Sequence, residues 1–252
     1  MPITATDLVF YASANMPDTD SGSAGGAIDN LRYLDFAQMA ANDTIEAVSD
    51  GADTRNLTVE ARNAGGNVVS ETKALNGATF ISFDTLATVE RVLKAELASG
   101  DASRTVTVRR ATGDVLIRAL GPNKRGFLMP FRKAASDPGS TKNYYAKGFW
   151  KNEHATLALL NALVKQNADP SAKITHLLAA SKDDTATATN RITAPGAADT
   201  QDPDTFDDTN KAVPGTDLNA GQAIGTWLRL QLTAADTPYR STYTTELAGE
   251  ST

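Results

Sequence analysis

Residues 57–72, LTVEARNAGGNVVSET, hold two strand patterns around a turn and give the clearest indication of the fold. Apolar Leu57, Val59 and Ala61 alternate with polar residues, which is typical of a strand with one buried face. Asn63-Ala64-Gly65-Gly66 supplies turn-forming residues, and an extended pattern resumes after it. This segment therefore predicts two β-strands joined by a turn.

The same signals recur on both sides of this segment. Asn76-Gly77 indicates a hairpin, because type I′ turns need positive φ at both central positions. Thr112-Gly113-Asp114 separates two further strand patterns. Residues 85–97 are the exception, since their apolar residues recur at helical spacing and predict a short helix, although their β-branched residues also allow a strand. Residues 31–121 are predicted to form a β-sandwich-like domain.

The second half repeats the strand character after a segment rich in Pro and Gly. Residues 122–143 are predicted to be a linker, and residues 144–252 a second β-sandwich-like domain. Residues 155–164 favour a strand, with residues 174–180 and 224–232 as its expected partners. A long acidic loop, residues 195–221, interrupts this domain, and loops of that length are usually functional or held by a partner.

The first thirty residues have little apolar sequence of their own. A short apolar stretch, Leu8 to Tyr11, is followed by the polar, Gly-rich residues 18–26, which have neither helical nor strand periodicity. Such a segment gains order by lying on another surface. Residues 1–30 are therefore predicted to be an extended N-terminal arm, and the fold class is mostly β, with two sandwich-like domains.

Composition limits the possible functions. The chain of 252 residues contains no cysteine, which excludes disulfides and thiol chemistry and fits assembly in a reducing bacterial cytoplasm. The net charge of −6 argues against a surface that binds duplex nucleic acid, because phosphate contacts need clustered Lys and Arg, so no sequence-specific nucleic-acid partner is expected. No apolar run reaches the length of a membrane span, so no membrane partner is expected.

Catalytic and metal-binding patterns are weak. The two histidines, His154 and His176, each favour a structural, hydrogen-bonded role, since no nucleophile or orienting carboxylate accompanies them in the sequence. The acidic loop offers carboxylates for a hard cation, but its spacing differs from that of an EF-hand. A solvated loop, or one that faces basic residues of a neighbouring subunit, is favoured. No enzyme activity, catalytic residue, cofactor or metal is predicted.

Aromatic residues form a denser cluster. Tyr144, Tyr145, Phe149 and Trp150 lie close together in the chain, and Trp227 is expected in the same sheet. A carbohydrate-binding platform has this composition, and so do a sandwich core and a subunit interface. Strand alternation places the rings on two faces and leaves no exposed row, which favours core or interface over a sugar site.

Several segments resemble structural proteins of tailed bacteriophages. They include DLVFYASANMPDTDSGSAGGAID (7–29), LTVEARNAGGNVVSETKALNGAT (57–79) and TVTVRRA (105–111) in the first half. In the second half they include YYAKGFWKNEHATLALLNA (144–162), SAKITHLLAASKDD (171–184), NRITAPG (190–196) and the region ending in GTWLRLQL (225–232). The resemblance implies a non-enzymatic virion component without a cofactor, whose partners are copies of itself and other phage structural proteins.

The resemblance leaves the location in the particle open. A tail tube or an adjoining ring is favoured, because an acidic lumen would repel DNA and let it slide. A capsid decoration or minor head protein is the first alternative, which the N-terminal arm favours, and a carbohydrate-binding adhesion module is the second. The residues predicted to lie at subunit interfaces are Leu8, Phe10, Tyr11, Tyr144, Tyr145, Trp150, Asp204, Asp207 and Asp208.

Overall fold

The protein is described here by a computed structural model that covers residues 2–98, 103–134, 138–201, 205–236 and 242–251. Strands account for 51% of the chain and helix for 5%, in several antiparallel sheets, which confirms the prediction of a mostly β, sandwich-like fold. The strands are β1 (Leu8–Asn15), β2 (Ala24–Tyr33), β3 (Ile45–Ser49), β4 (Asn56–Asn63), β5 (Val68–Ala74), β6 (Ile81–Ser82), β7 (Val89–Leu97), β8 (Val106–Arg110), β9 (Leu116–Leu120), β10 (Gly126–Leu128), β11 (Lys142–Asn152), β12 (Leu159–Ala168), β13 (Ile174–Lys182), β14 (Thr187–Ala188), β15 (Lys211–Ala212), β16 (Ala223–Leu232) and β17 (Thr244–Ser251). Short 3₁₀ turns occupy Ala5–Asp7, Asp84–Leu86, Thr112–Asp114 and Ala197–Asp199.

The chain forms two compact units. Unit 1 contains residues 1–29 and 130–252, and unit 2 contains residues 30–129. Strand β2 begins in unit 1 and ends in unit 2. Among the described residues, no helix is long and apolar enough to span a membrane.

Unit 1 is built on a sheet in which β13, β16, β11, β1 and the first half of β2 are successive neighbours. Strand β11 pairs antiparallel with β16 along its whole length, from Lys142 opposite Leu232 to Lys151 opposite Ala223. Aromatic and apolar residues recur along β11, and its side chains are buried from Tyr144 to Trp150. A strand buried on both faces is expected in the middle of a layered fold.

A second, three-stranded sheet of unit 1 has the order β15, β12, β17. The strand predicted for residues 155–164 is present as β12, but its expected partners were wrong. Strands β13 and β16 pair with each other in the larger sheet, while β12 pairs with β17, near the end of the chain. Apolar alternation identifies a strand but does not specify which distant strand it joins.

Unit 2 also has two sheets. The end of β2, then β10, β7, β4 and β5 follow one another in the first, and β6, β3, β8 and β9 in the second. The order is not sequential, so several neighbouring strands of these sheets are far apart in the chain. Strand β10 lies inside the segment predicted to be a linker, where it pairs with both β2 and β7.

Turn chemistry was predicted well where the turn joins adjacent strands. Residues 63–66 connect the paired strands β4 and β5, with Gly66 at φ 80°, and Thr112–Asp114 connects β8 to β9. The turn at Asn76-Gly77 also forms, since the Thr79 N–H donates to the Asn76 carbonyl at 3.0 Å. The hairpin prediction there was wrong, because the turn leads from β5 of one sheet to β6 of the other.

The helix predicted for residues 85–97 was also wrong. A 3₁₀ turn at Asp84–Leu86 leads into the strand β7, which pairs with β4 on one side and β10 on the other. Its residues Val89, Val92, Ala95 and Leu97 are fully buried. Pairing with β4 and β10 satisfies the backbone of this segment as a strand, and it decides between the two structures that the short apolar pattern allows.

The prediction that residues 1–30 form an extended arm with little core was wrong for its central part. Strand β1 pairs antiparallel with β11, from Leu8 opposite Asn152 to Ala12 opposite Gly148. Tyr11 is completely buried, and its hydroxyl donates to Glu153 at 2.8 Å. The apolar stretch at the start of the chain is therefore an inner strand of unit 1.

Candidate functional site

The open side of β5, called the β5 edge below, is the longest unpaired strand edge among the described residues of unit 2. Strand β5 is the last strand of its sheet and pairs only with β4. Within the described residues, no backbone hydrogen bond from 68–74 reaches any other strand. An exposed strand edge presents a row of free N–H and C=O groups, which is a template for another strand.

The side chains of β5 leave this edge unguarded. Exposed positions alternate with partly buried ones, and the exposed residues are the uncharged Val68, Ser70, Thr72 and Ala74. Natural proteins usually block such an edge with charged residues, proline or a bulge. The register with β4 is regular from Asn56 opposite Ala74 to Arg62 opposite Val68, so no bulge twists the edge away.

The two charged residues of β5 are bound within unit 2. Glu71 accepts hydrogen bonds from the backbone N–H and the hydroxyl of Thr85, at 2.9 and 2.6 Å. Lys73 donates to the Ser82 carbonyl at 2.6 Å and also binds the Asp84 carboxylate. These contacts hold both charges on the partly buried face, and the exposed face of β5 stays neutral.

Unit 2 also exposes most of the large apolar side chains that face solvent. These residues are Leu31, Val68, Phe80, Val115 and Leu116. Leu116 is 51% exposed at the start of β9, and Phe80 is covered on one face by the Arg109 guanidinium at 3.5 Å. Among the described residues of unit 1, only Ile192 belongs to this class.

Most residues predicted to lie at an interface are buried inside unit 1. Tyr11 and Tyr144 are 0% exposed, and the Phe10 and Trp150 rings stack on each other at 4.8 Å. Tyr145 packs edge-on against Phe206 at 5.5 Å. These side chains fill the chain's own core and present little surface to a partner. Trp150 and Trp227 are also buried, so neither ring forms an exposed platform.

The acidic loop is bound to unit 1 by backbone and side-chain contacts. Asp207 and His176 form an antiparallel bridge, in which the His176 N–H donates to the Asp207 carbonyl at 2.9 Å. The Asp207 carboxylate binds Lys211, whose side chain is 3% exposed, at 3.0 Å. Asp208 is exposed, and Asp204 lies outside the described residues. Among the described residues, no cluster of three acidic or histidine side chains could hold a metal ion.

The two histidines have structural surroundings. The His154 Nδ1 accepts from the backbone N–H groups of Thr156 and Leu157, at 3.2 and 3.0 Å. His176 is fully buried in β13, and burial, together with the positive charge of Lys211, lowers its pKa below the usual 6.5 against the attraction of Asp207. A histidine that is held neutral in this way contributes packing at neutral pH.

A buried lysine is the feature of unit 1 that the sequence did not reveal. The Lys147 side chain is 0% exposed and forms an ion pair with Asp184, which is 10% exposed. The sequence shows that Lys147 lies between aromatic residues. It does not show that Asp184, which follows β13, comes close to this lysine in β11. Buried lysines are rare unless they are paired.

No protein-family model matches the chain, and no curated protein and no solved structure matches it either.

Proposed function

We propose that this chain is a structural subunit of a tailed-bacteriophage particle that works by assembling with copies of itself, in the tail tube or an adjoining ring. The virion part of the proposal is supported by the resemblance of segments such as 7–29 and 57–79 to phage structural proteins. The self-assembly part is carried by one observation, the unguarded β5 edge. A strand of a neighbouring copy would continue the sheet there.

The energetics of assembly suit such an edge. Each backbone hydrogen bond across a new strand pair contributes on the order of 1 kcal/mol net, so one edge alone binds weakly. Symmetric repetition multiplies weak contacts, because a subunit in a ring or tube is held at several contacts at once. A weak edge thus allows copies to remain soluble during synthesis and to assemble when they are concentrated on a growing particle.

The copy number of the chain in purified particles tests the proposal. Particles from a host that produces the chain are dissolved, and the chain is counted by quantitative mass spectrometry against a known tail subunit and the major capsid protein. A fixed ratio to the tail subunit supports the proposal. A ratio that follows the capsid protein instead supports the decoration alternative, and absence of the chain from the particles contradicts any virion role.

A further inference from the structure

The Lys147 side chain is fully buried and lies beside aromatic rings. Lys147 lies in β11 opposite Trp227 of β16, between strands β1 and β16 of the sheet. Its Nζ lies 4.9 Å from the ring centre of Phe149 and 5.3 Å from that of Trp227. Burial lowers the pKa of the amine below its usual 10.5, against the attraction of the Asp184 and Asp199 carboxylates. The neutral amine, which is the nucleophilic form, therefore forms more easily here than in water.

The Asp184 carboxyl group is held against this amine. Its Oδ2 accepts a hydrogen bond from the Lys147 Nζ, and its Oδ1 accepts the backbone N–H of Ala186 at 2.8 Å. Gly225 leaves the space that the pair occupies, since a Cβ there would lie 2.7 Å from the Lys147 Cε and 3.3 Å from the Asp184 Oδ2. The two groups are thus fixed in contact by strand pairing and by a backbone donor, without bulk solvent.

We propose that Lys147 and Asp184 condense spontaneously into an isopeptide bond between Nζ and Cγ. A proton first passes from the ammonium to Oδ2, which converts the ion pair into a neutral amine and a neutral acid. The amine then attacks Cγ, and the negative charge that develops on Oδ1 is stabilised by the Ala186 N–H. Nζ gives up a second proton, and Oδ2 leaves with both protons as water. The step needs no oxidant and no co-reactant.

The site favours this condensation for two physical reasons. Burial disfavours the charged pair relative to the neutral one, because each buried charge loses its hydration. Fixed contact between amine and acid also replaces a bimolecular encounter by an intramolecular one. The Lys147 Nζ also donates to the carbonyls of Gly26 and Ala186, at 3.3 and 3.1 Å. The amide that forms keeps one N–H, which can stay bonded to one of these acceptors.

The intact mass of the purified full chain tests the proposal. The cross-linked chain is lighter than its sequence mass by one water molecule, and Lys147→Arg restores the full mass because arginine does not form this amide. A wild-type chain at its full sequence mass, folded and aged after purification, overturns the proposal. That result would identify the contact as a permanent ion pair.

Peptide mapping of the wild-type chain locates the lost water and does not depend on whether Lys147→Arg folds. Trypsin does not cleave at an acylated lysine, so the proposal predicts one branched peptide that joins residues 143–151 to 183–191. The pair Lys173–Asp236 is the internal control, because its side chains are 19% and 14% exposed and should stay unlinked. Loss of water that maps to a succinimide at Asp50-Gly51, with residues 143–147 released as a normal peptide, also overturns the proposal.

Discussion

Among the described residues, unit 1 buries several charged and polar side chains, whereas unit 2 buries almost only apolar ones. Unit 2 also leaves several large apolar side chains exposed to solvent. The fully or nearly buried polar residues of unit 1 include Lys147, Asn152, His176, Arg191 and Lys211. In unit 2, the described residues of this class are Ser49 and Asp53. Buried polar groups are costly unless they find partners, as Lys147, Asn152, Arg191 and Lys211 do, so these four favour one arrangement of the chain. This difference agrees with the proposal that the contact surface for other copies lies on unit 2.

Removing a large core side chain from each unit should have the largest effect. Trp227 of unit 1 and Phe127 of unit 2 are both fully buried, and Trp227→Ala or Phe127→Ala should each cost about 3–5 kcal/mol of unfolding free energy. Hydrogen exchange should show lost protection mainly in the unit that carries the substitution. An equal loss of protection in both units would mean that they unfold together as one cooperative body.

Arg191→Met should have the next largest effect, because it breaks the polar network of unit 1. The Arg191 guanidinium donates to the carbonyls of Arg132 and Lys133 and to the Asp20 carboxylate, at 2.8, 3.1 and 2.9 Å. We expect a loss of about 2–3 kcal/mol, below that of a fully buried pair because 38% of the Asp20 side chain is exposed.

The control for Arg191→Met is Lys165→Met, also in unit 1. Lys165 pairs with Glu246 at 3.7 Å on the surface, and the two side chains are 32% and 45% exposed. Its loss should change the unfolding free energy by less than about 0.5 kcal/mol. Similar losses of unfolding free energy for both variants in chemical denaturation would show that the buried network of Arg191 stabilises unit 1 no more than a surface ion pair does.

Acid should weaken unit 1 through His176. Its folded-state pKa lies below 6.5, so below pH 6.5 the unfolded chain takes up a proton that the folded chain does not. The unfolding free energy should then fall as the pH is lowered from 6.5, by at most about 1.4 kcal/mol per pH unit, until the folded-state pKa is reached. The unfolding free energy of His176→Gln, measured by denaturation across this pH range, should lack the fall that is due to the histidine. An unchanged slope would exclude the histidine as its source.

Asp35 of unit 2 should show a smaller effect of opposite sign. Burial raises the pKa of its carboxyl to about 6, against the attraction of Arg118 at 2.8 Å. Between 3.8 and about 6 the folded chain therefore holds a proton that the unfolded chain releases, and stability falls as the pH rises through this window. The effect should be small, because 39% of the side chain is exposed to water. Asp35→Asn should abolish it in the same denaturation experiment.

The smallest effect on stability is expected for Ser70→Lys at the β5 edge. Ser70 is exposed, and a lysine there should change the unfolding free energy by less than about 0.5 kcal/mol. Ala41→Lys, at an exposed position outside the strands, is the matched control for the added charge. A large loss for Ser70→Lys in thermal unfolding would show that the exposed face of β5 belongs to the fold of unit 2 rather than to a contact surface.

Local features of this fold could be predicted from the sequence, and long-range pairing could not. The turn at residues 63–66 was found because its chemistry lies within a few residues. The pairing of β12 with β17 was missed because the alternation within a strand does not specify which distant strand it joins. The segment 85–97 was misassigned because its short apolar pattern fits both periods, and β4 and β10 decide between them.

The same limit explains the candidate sites. The sequence identified β5 as extended, but only the sheet order shows that it is an edge. The aromatic residues of β11 were correctly expected on two faces of a strand, yet their burial removes most of the predicted interface residues from the surface. Lys147 and Asp184 are brought together by the pairing of β11, β16 and β13, which no local pattern encodes.

Sedimentation velocity of the purified chain over a range of concentrations measures self-association through the β5 edge. We expect the wild-type chain and Ala41→Lys to form larger species as the concentration rises, while Ser70→Lys remains a monomer over the same range. Association of Ser70→Lys equal to that of the wild type, or a wild-type chain that stays monomeric throughout, would show that the β5 edge does not join copies of this chain.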